Sequence, residues 1–313
     1  MLCEYRYELK VPLRLPQSIP VWVSDFRFEF ETSNELLVAV KFAVTCNDPE
    51  LWPCIKSHPD TNRNEITFPS PRDAEVNEIA LTFFALLSLR GWKAEWNKTY
   101  PTRTWIPESE AEADGLVANE LKLSRSRRHS PTDFPIPIND LLQTALASDQ
   151  ARALRQPFEF LQYADERYAA RRFIEAFQYY YLAIESLYCN GATREANVVA
   201  RFMSKSSLCE GIRKAIDSPE LYVDKDEDRE RYREFVADLS TDKVAFTKLV
   251  RQRGQLHHHN MRLSDVWSVN GQERYWGIAT LAANLVVPQL FWESKKYVWS
   301  EAVLRQYEQL RAN

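Results

Sequence analysis

A short basic segment followed by consecutive histidines carries the side chains best suited to chemistry in this chain. Arg251 and Arg253 lie just before the triplet His257-His258-His259, which holds three of the five histidines. An imidazole accepts or donates a proton near neutral pH, and a guanidinium can hold a phosphate through two hydrogen bonds. The segment therefore predicts proton transfer and charge stabilisation at a phosphate.

The spacing alone leaves open which arginine works with which histidine. Arg253 and His257 are four residues apart and would be neighbours on a straight helix. Arg253 and His258 would lie about 140° apart on such a helix, at about 100° per residue. Arg251 and His258, seven residues apart, share a face. A break at Gly254 would bring Arg253 and His258 together, because glycine adopts many backbone conformations.

The elements that must position this segment are helical. In the second half of the chain, apolar residues recur at steps of three and four, which is typical of a helix face that packs against a core. This stripe consists of Phe173, Phe177, Tyr180, Ile184 and Leu187. Gly191 is expected to end that helix, and one charged helix is expected over residues 226–253, leading directly into the basic segment.

The first half has a mixed pattern. Apolar and charged residues alternate over 26–31, and a second apolar run follows at 36–44, which predicts a β-hairpin. Residues 73–89 have helical periodicity. The predicted fold class is therefore α+β, with antiparallel strands followed by an all-helical bundle. The predicted domains are an N-terminal α+β domain (1–115), a proline-rich linker (116–138) and a helical domain (139–313).

The helical half resembles the HEPN superfamily of ribonuclease-like domains. That family carries an arginine and a histidine with four to six residues between them, at the end of a long helix. The sequence Tyr-Leu-Ala-Ile-Glu-Ser-Leu around Glu185 also looks like the second helix of the family. The resemblance covers about residues 140–300 and implies a metal-independent RNA endonuclease that works without a cofactor and builds its site across a two-fold dimer.

The resemblance also implies roles for individual residues. Arg253 with His258 fits the commonest family spacing, and Arg251 and His257 are further catalytic candidates. Gln252 and His259 are supporting candidates, Gln252 because a polar residue usually follows the family arginine; Gly254 departs from that pattern. Glu185 either orients the Arg–His pair or satisfies a buried arginine or backbone group. Apart from the resemblance, their positive charge makes Arg171 and Arg172 candidates for contact with RNA phosphates.

The implied partners are a second copy of the chain, joined through the helical domain, RNA as substrate, and a cognate antitoxin or regulatory protein. A defence or toxin–antitoxin role follows from the same resemblance, with the first domain as a sensor. The competing hypothesis is a catalytically inactive HEPN-like dimer that acts as a binding or scaffold protein. No membrane partner is expected, because no apolar run approaches the roughly 20 residues that span a bilayer.

Composition argues against several other classes. Glycine is scarce, at 7 of 313 residues, which disfavours a glycine-rich phosphate loop. Five cysteines without a CxxC pair disfavour a disulfide framework and favour a reducing cytoplasm. Three consecutive histidines cannot all face one metal ion from a helix. The set Cys46, Cys54 and His58 lacks a usual zinc spacing and is better interpreted as structural cysteine. A net charge of −4 disfavours constitutive tight binding of nucleic acid.

Overall fold

A computed structural model of the 313-residue chain gives the fold. It describes residues 1–15, 20–58, 63–69, 72–92, 96, 101–118, 120–121, 136–218, 223, 226–257 and 269–312. These residues form two compact units. The first comprises Met1–Arg152 together with Lys296–Asn313, and the second comprises Ala153–Lys295. Most of the predicted linker 116–138 lies outside the described residues.

The first unit is built on antiparallel strands. They are β1 (Leu2–Arg14), β2 (Val21–Val23), β3 (Phe26–Ser33), β4 (Leu36–Thr45), β5 (Cys54–His58), β6 (Arg63–Thr67), β7 (Thr102–Ile106) and β8 (Glu120–Leu121). Six of them form one sheet in the order β2-β3-β4-β1-β7-β8, and β5 pairs with β6. The pairing of β3 with β4 confirms the predicted hairpin. The alternation of buried and half-buried residues along β3 has the two-residue period that the sequence shows.

Helices cover one face of this sheet. Helix α1 (Asp73–Leu89) buries Phe83, whose ring centre lies 5.8 Å from that of Phe28 and 6.0 Å from that of Phe30. The short helix α2 (Glu110–Gly115) and helix α3 (Ile138–Gln150) also belong to this unit. Buried aromatic rings between the sheet and α1 thus form the core of the first unit.

The boundary between the two units lies after Arg152, whereas the sequence predicted it near residue 138. Helix α3 and the last helix, α11 (Glu301–Ala312), lie in the first unit. The reason is that α3 has its own apolar face, with Leu141, Leu142 and Leu146 buried, and packs against α1, β2 and α11. The proline-rich segment therefore does not coincide with the boundary between the two units.

The second unit contains helices that include both predicted parts of the site. They are α4 (Arg155–Ala169), α5 (Phe173–Tyr188), α6 (Glu195–Met203), α7 (Ser206–Asp217), α8 (Asp226–Val236), α9 (Asp242–His257) and most of α10 (Trp276–Val298). Helix α5 buries Phe173, Phe177, Tyr180 and Ile184 of the predicted stripe. Gly191 follows with a positive φ of 77°, which suits its predicted place after the helix. An antiparallel sheet and a helical region together confirm the α+β class.

Two details of the predicted helices are wrong. The expected charged helix over 226–253 is two helices, because Thr241 starts a new one: its hydroxyl oxygen accepts a hydrogen bond from the amide of Val244 at 3.3 Å. The helix also does not end at Arg253 as expected, since α9 continues through Gly254 to His257. Burial of Leu249 and Leu256 on either side offsets the roughly 1 kcal/mol that a helical glycine costs.

None of the helices in the described part of the chain combines the length and apolarity that crossing a membrane requires.

Two helical glycines offer a matched test of this packing. A Cβ added at Gly277 would lie 2.5 Å from Cγ of Phe235, whereas one added at Gly254 would meet no atom within 4 Å. We expect Gly277→Ala to lower the free energy of unfolding by about 1–3 kcal/mol through overpacking. We expect Gly254→Ala to raise it by up to about 1 kcal/mol. Urea denaturation followed by circular dichroism measures both, and equal stability of the two variants would contradict the packing of α8 on α10.

Candidate active site

A cleft opens between α5, α6 and α9 in the second unit. Its volume is about 530 Å³. Charged side chains of both signs line it together with small polar and apolar ones. The lining residues are Tyr181, Glu185, Thr193, Glu195, Val198, Val250, Arg251, Arg253, Gly254 and Gln255. The two regions that the sequence singled out, around Glu185 and around Arg253, therefore meet in one cleft.

Arg253 and Glu185 face each other at the base of this cleft. Nη2 of Arg253 lies 3.7 Å from Oε2 of Glu185, and the two side chains are only 28% and 21% exposed. The guanidinium carbon lies 5.9 Å from the ring centre of Tyr181, one turn before Glu185 on α5. The separation of 3.7 Å is that of an ion pair and is longer than a hydrogen bond. Glu185 and Tyr181 therefore hold the guanidinium in place through charge and ring contact.

A second ion pair lies at the rim. Nε of Arg251 donates a hydrogen bond to Oε1 of Glu195 at 2.8 Å, and these side chains are 65% and 46% exposed. Glu195 is the first residue of α6, so the pair links α6 to α9. The cleft thus carries one cation near its base and one at its rim, each beside a carboxylate, and solvent screens the outer pair more strongly.

The other ionisable groups beside Glu185 remain protonated at neutral pH. Burial, reinforced by the neighbouring Glu185 carboxylate, raises the pKa of the Tyr181 phenol above its ordinary value. The same two causes raise the pKa of the Cys189 thiol to about 12. Neither group can act as a base or a thiolate nucleophile near pH 7.

The last turns of α9 line the cleft and lead, in the sequence, to the histidine triplet. His257 is the last residue of α9 and is one turn beyond Arg253 on the unbroken helix. His258 and His259 lie outside the described residues, so the pairing of Arg253 with His258 stays a prediction. The continuous helix removes the break at Gly254 on which that pairing relied. It places positions 253 and 257, by contrast, on one side of α9.

Other predicted residues lie away from the cleft. Gln252 is on an outer face of α9, in a groove that also contains Lys248. Arg171 and Arg172 lie at the start of α5, and position 172 is about 20 Å along the helix from Glu185 at about 1.5 Å per residue. Arg171 forms an ion pair with Glu273 at 2.8 Å. The structure therefore does not bring these two arginines to the cleft.

The cysteines have the character of structural residues. Cys46 is buried, and its thiol points at the backbone oxygen of Leu51 at 3.9 Å, whereas Cys54 is half-buried. Within the described ranges, no three His, Cys, Asp or Glu side chains are grouped so that they could hold a metal ion.

Sequence reasoning missed part of the cleft. Glu195 is 56 residues from Arg251, and no local spacing points to their pairing. Gln255 and Thr193 are polar residues without a recognisable motif. Tyr181 is buried beside the predicted stripe, and its ring also contacts the guanidinium of Arg253.

Comparison with known proteins gives no relative. No protein-family model, no curated protein and no solved structure matches this chain.

The coupling free energies of the two ion pairs test whether Glu185 has a structural role alone or positions Arg253. We expect double-mutant cycles with Arg253→Gln and Glu185→Gln, and with Arg251→Gln and Glu195→Gln, to give coupling free energies of at most about 1 kcal/mol. The inner pair should be the larger and the less sensitive to salt, because it is less exposed. Urea denaturation of the single and double variants measures both couplings. An inner coupling of about 3 kcal/mol or more would assign Glu185 to structure alone.

Proposed function

We propose that the protein is a metal-independent RNA endonuclease of HEPN type that acts as a homodimer. The observation that carries the proposal is the approach of Arg253 to Glu185 within one cleft, directly before the histidines at the end of α9. The HEPN resemblance joins the same two regions of the sequence, α5 and the basic end of α9. The resemblance and the structure support the proposal separately, because the sequence pattern does not specify the distance between Glu185 and Arg253.

The reaction needs no group beyond those of the chain and the RNA. The 2′-oxygen attacks the adjacent phosphorus, a P–O2′ bond forms and the P–O5′ bond breaks. One imidazole takes the 2′-hydroxyl proton, and an imidazolium gives a proton to the departing 5′-oxygen. The products are a 2′,3′-cyclic phosphate and a 5′-hydroxyl. Arg253 stabilises the negative charge that develops on the phosphate oxygens in the transition state.

In this proposal Glu185 is a positioning residue. Its carboxylate lies 3.7 Å from Nη2 of Arg253 and would hold the guanidinium in the direction in which it donates hydrogen bonds to a phosphate. His257 follows Arg253 by one turn in the sequence of the unbroken helix, and His258 remains the choice of the family spacing. Joining two copies would bring two Arg–His pairs together, so that one imidazole acts as base and another as acid.

Cleavage of RNA in EDTA tests the proposal. We expect the wild-type chain to cut mixed RNA, and we expect Arg253→Ala and the double variant His257→Ala/His258→Ala to lose about 10²–10⁴-fold in rate. The matched controls are Arg213→Ala, at an exposed arginine paired with Asp242 at 3.0 Å, and His58→Ala in the first unit. Both controls should cut as the wild type does.

Two outcomes would contradict the proposal. Equal cleavage by the wild type and by the Arg253 and histidine variants would remove the catalytic assignment. Absence of cleavage by the wild type would favour the inactive binding or scaffold protein instead.

A further inference from the structure

The outer face of α9 differs in charge from the rest of the chain. Between Lys243 and His257 the sequence contains two lysines and two arginines and no acidic residue, although the whole chain has 44 acidic residues and a net charge of −4. Three of these cations, at 243, 248 and 251, line a groove of about 470 Å³. Uncharged polar side chains complete it, at Thr247, Gln252 and Gln255, together with Val244.

The lysines of this face are available to a ligand. Lys243 is exposed and Lys248 is half-buried. Nζ of Lys248 lies over the ring of Phe235, 4.3 Å from its centre, which fixes the ammonium in position. Among the described residues, no carboxylate lies within ion-pair distance of either lysine. Both ammonium groups can therefore bind an anion without first breaking an internal ion pair.

The groove is continuous with the cleft. Arg251 and Gln255 line both, so a chain that follows the groove reaches Arg253 at the cleft. At about 1.5 Å per residue, the stretch from position 243 to position 255 is about 18 Å long. A row of cations and hydrogen-bond donors of this length complements a ligand with regularly repeated negative charges and matches no compact anion.

We infer that the outer face of α9 binds the sugar–phosphate backbone of single-stranded RNA and leads it into the cleft. The inference rests on the proposed function for the identity of the occupant. Lys243 and Lys248 contact phosphates, and Arg251 exchanges Glu195 for a phosphate where the groove meets the cleft. Contacts to phosphates position a strand and do not select its sequence, so this face binds RNA of any sequence.

The salt dependence of binding tests the inference. The probe is a fluorescent 2′-O-methyl oligonucleotide, which lacks the 2′-hydroxyl and so cannot be cleaved. Its affinity for the full chain is measured by anisotropy between about 50 and 200 mM salt. Each phosphate contact to a single strand contributes about −0.7 to the slope of log K against log salt. Lys243→Gln/Lys248→Gln should therefore make the slope about 1.4 less negative, and Lys243→Gln alone about half of that.

The matched control is Lys205→Gln/Lys214→Gln, which removes the same charge from exposed positions at α7. Its slope should equal that of the wild type. A third variant, Glu195→Gln, frees Arg251 and should bind the probe more tightly. Equal changes of slope in the two double variants, or no change in either, would overturn the inference. Binding of no oligonucleotide at all would do the same and would leave the face to a protein partner.

The binding and cleavage experiments can refute the binding face and the nuclease separately. A chain that binds the uncleavable probe through the two lysines but cuts no RNA would refute the nuclease and retain the binding face. A chain that cuts RNA while the lysine variant binds and cuts as the wild type does would refute the binding face and retain the nuclease.

Discussion

A guanidinium can be held against the side of a helical bundle only if an opposite charge or a ring accompanies it, because an uncompensated buried charge costs several kcal/mol. Arg253 meets this condition through Glu185 at 3.7 Å and Tyr181 at 5.9 Å, both on α5. With Leu249 and Leu256 buried in the core, Arg253 is the cation of α9 that meets α5. The cleft, its rim pair and the outer groove all follow from that orientation, since they occupy successive faces of the same helix.

Three faces of α9 therefore point in different directions and make different contacts. Leu249 and Leu256 face the core, Arg253 faces α5, and Lys243 lies on the outer face. A helix with 3.6 residues per turn can serve all three because neighbouring residues point about 100° apart. After its first residue, Asp242, α9 contains no acidic residue. This suits the proposed binding face, because a carboxylate there would repel a polynucleotide or pair with one of the cations proposed to bind it.

Much of the fold could be predicted from the sequence, because local pattern determines it. Alternation over 26–31 and helical periodicity over 73–89 are confirmed by β3 and α1. The boundary near residue 138 was less predictable, because the allocation of α3 and α11 to the first unit depends on which apolar faces meet. Thr241, a residue suited to start a helix, indicated the break before α9. The charged pattern continues across it, so the sequence predicted one helix. The helical state of Gly254 depends on burial around it and not on its own preference.

The two regions that meet in the cleft could be predicted from the sequence, but the other residues that line it could not. Arg253 and Glu185 stand out by residue type and by the HEPN resemblance, and the structure brings them together. Glu195 could not be found, because pairing over 56 residues leaves no local pattern. Arg171 and Arg172 were chosen by charge alone and lie far along α5 from the cleft. Charge identifies an exposed arginine but gives no information about which end of a helix it occupies.

In the proposed reaction, the cleft around Arg253 promotes attack of the RNA 2′-hydroxyl on its own phosphate. Mass spectrometry of the ends of RNA fragments formed in EDTA tests this step. We expect 2′,3′-cyclic phosphate and 5′-hydroxyl ends from the wild-type chain and their loss in Arg253→Ala. Fragments that carry 3′-hydroxyl and 5′-phosphate ends, or cyclic phosphate ends formed equally by Arg253→Ala, would contradict it.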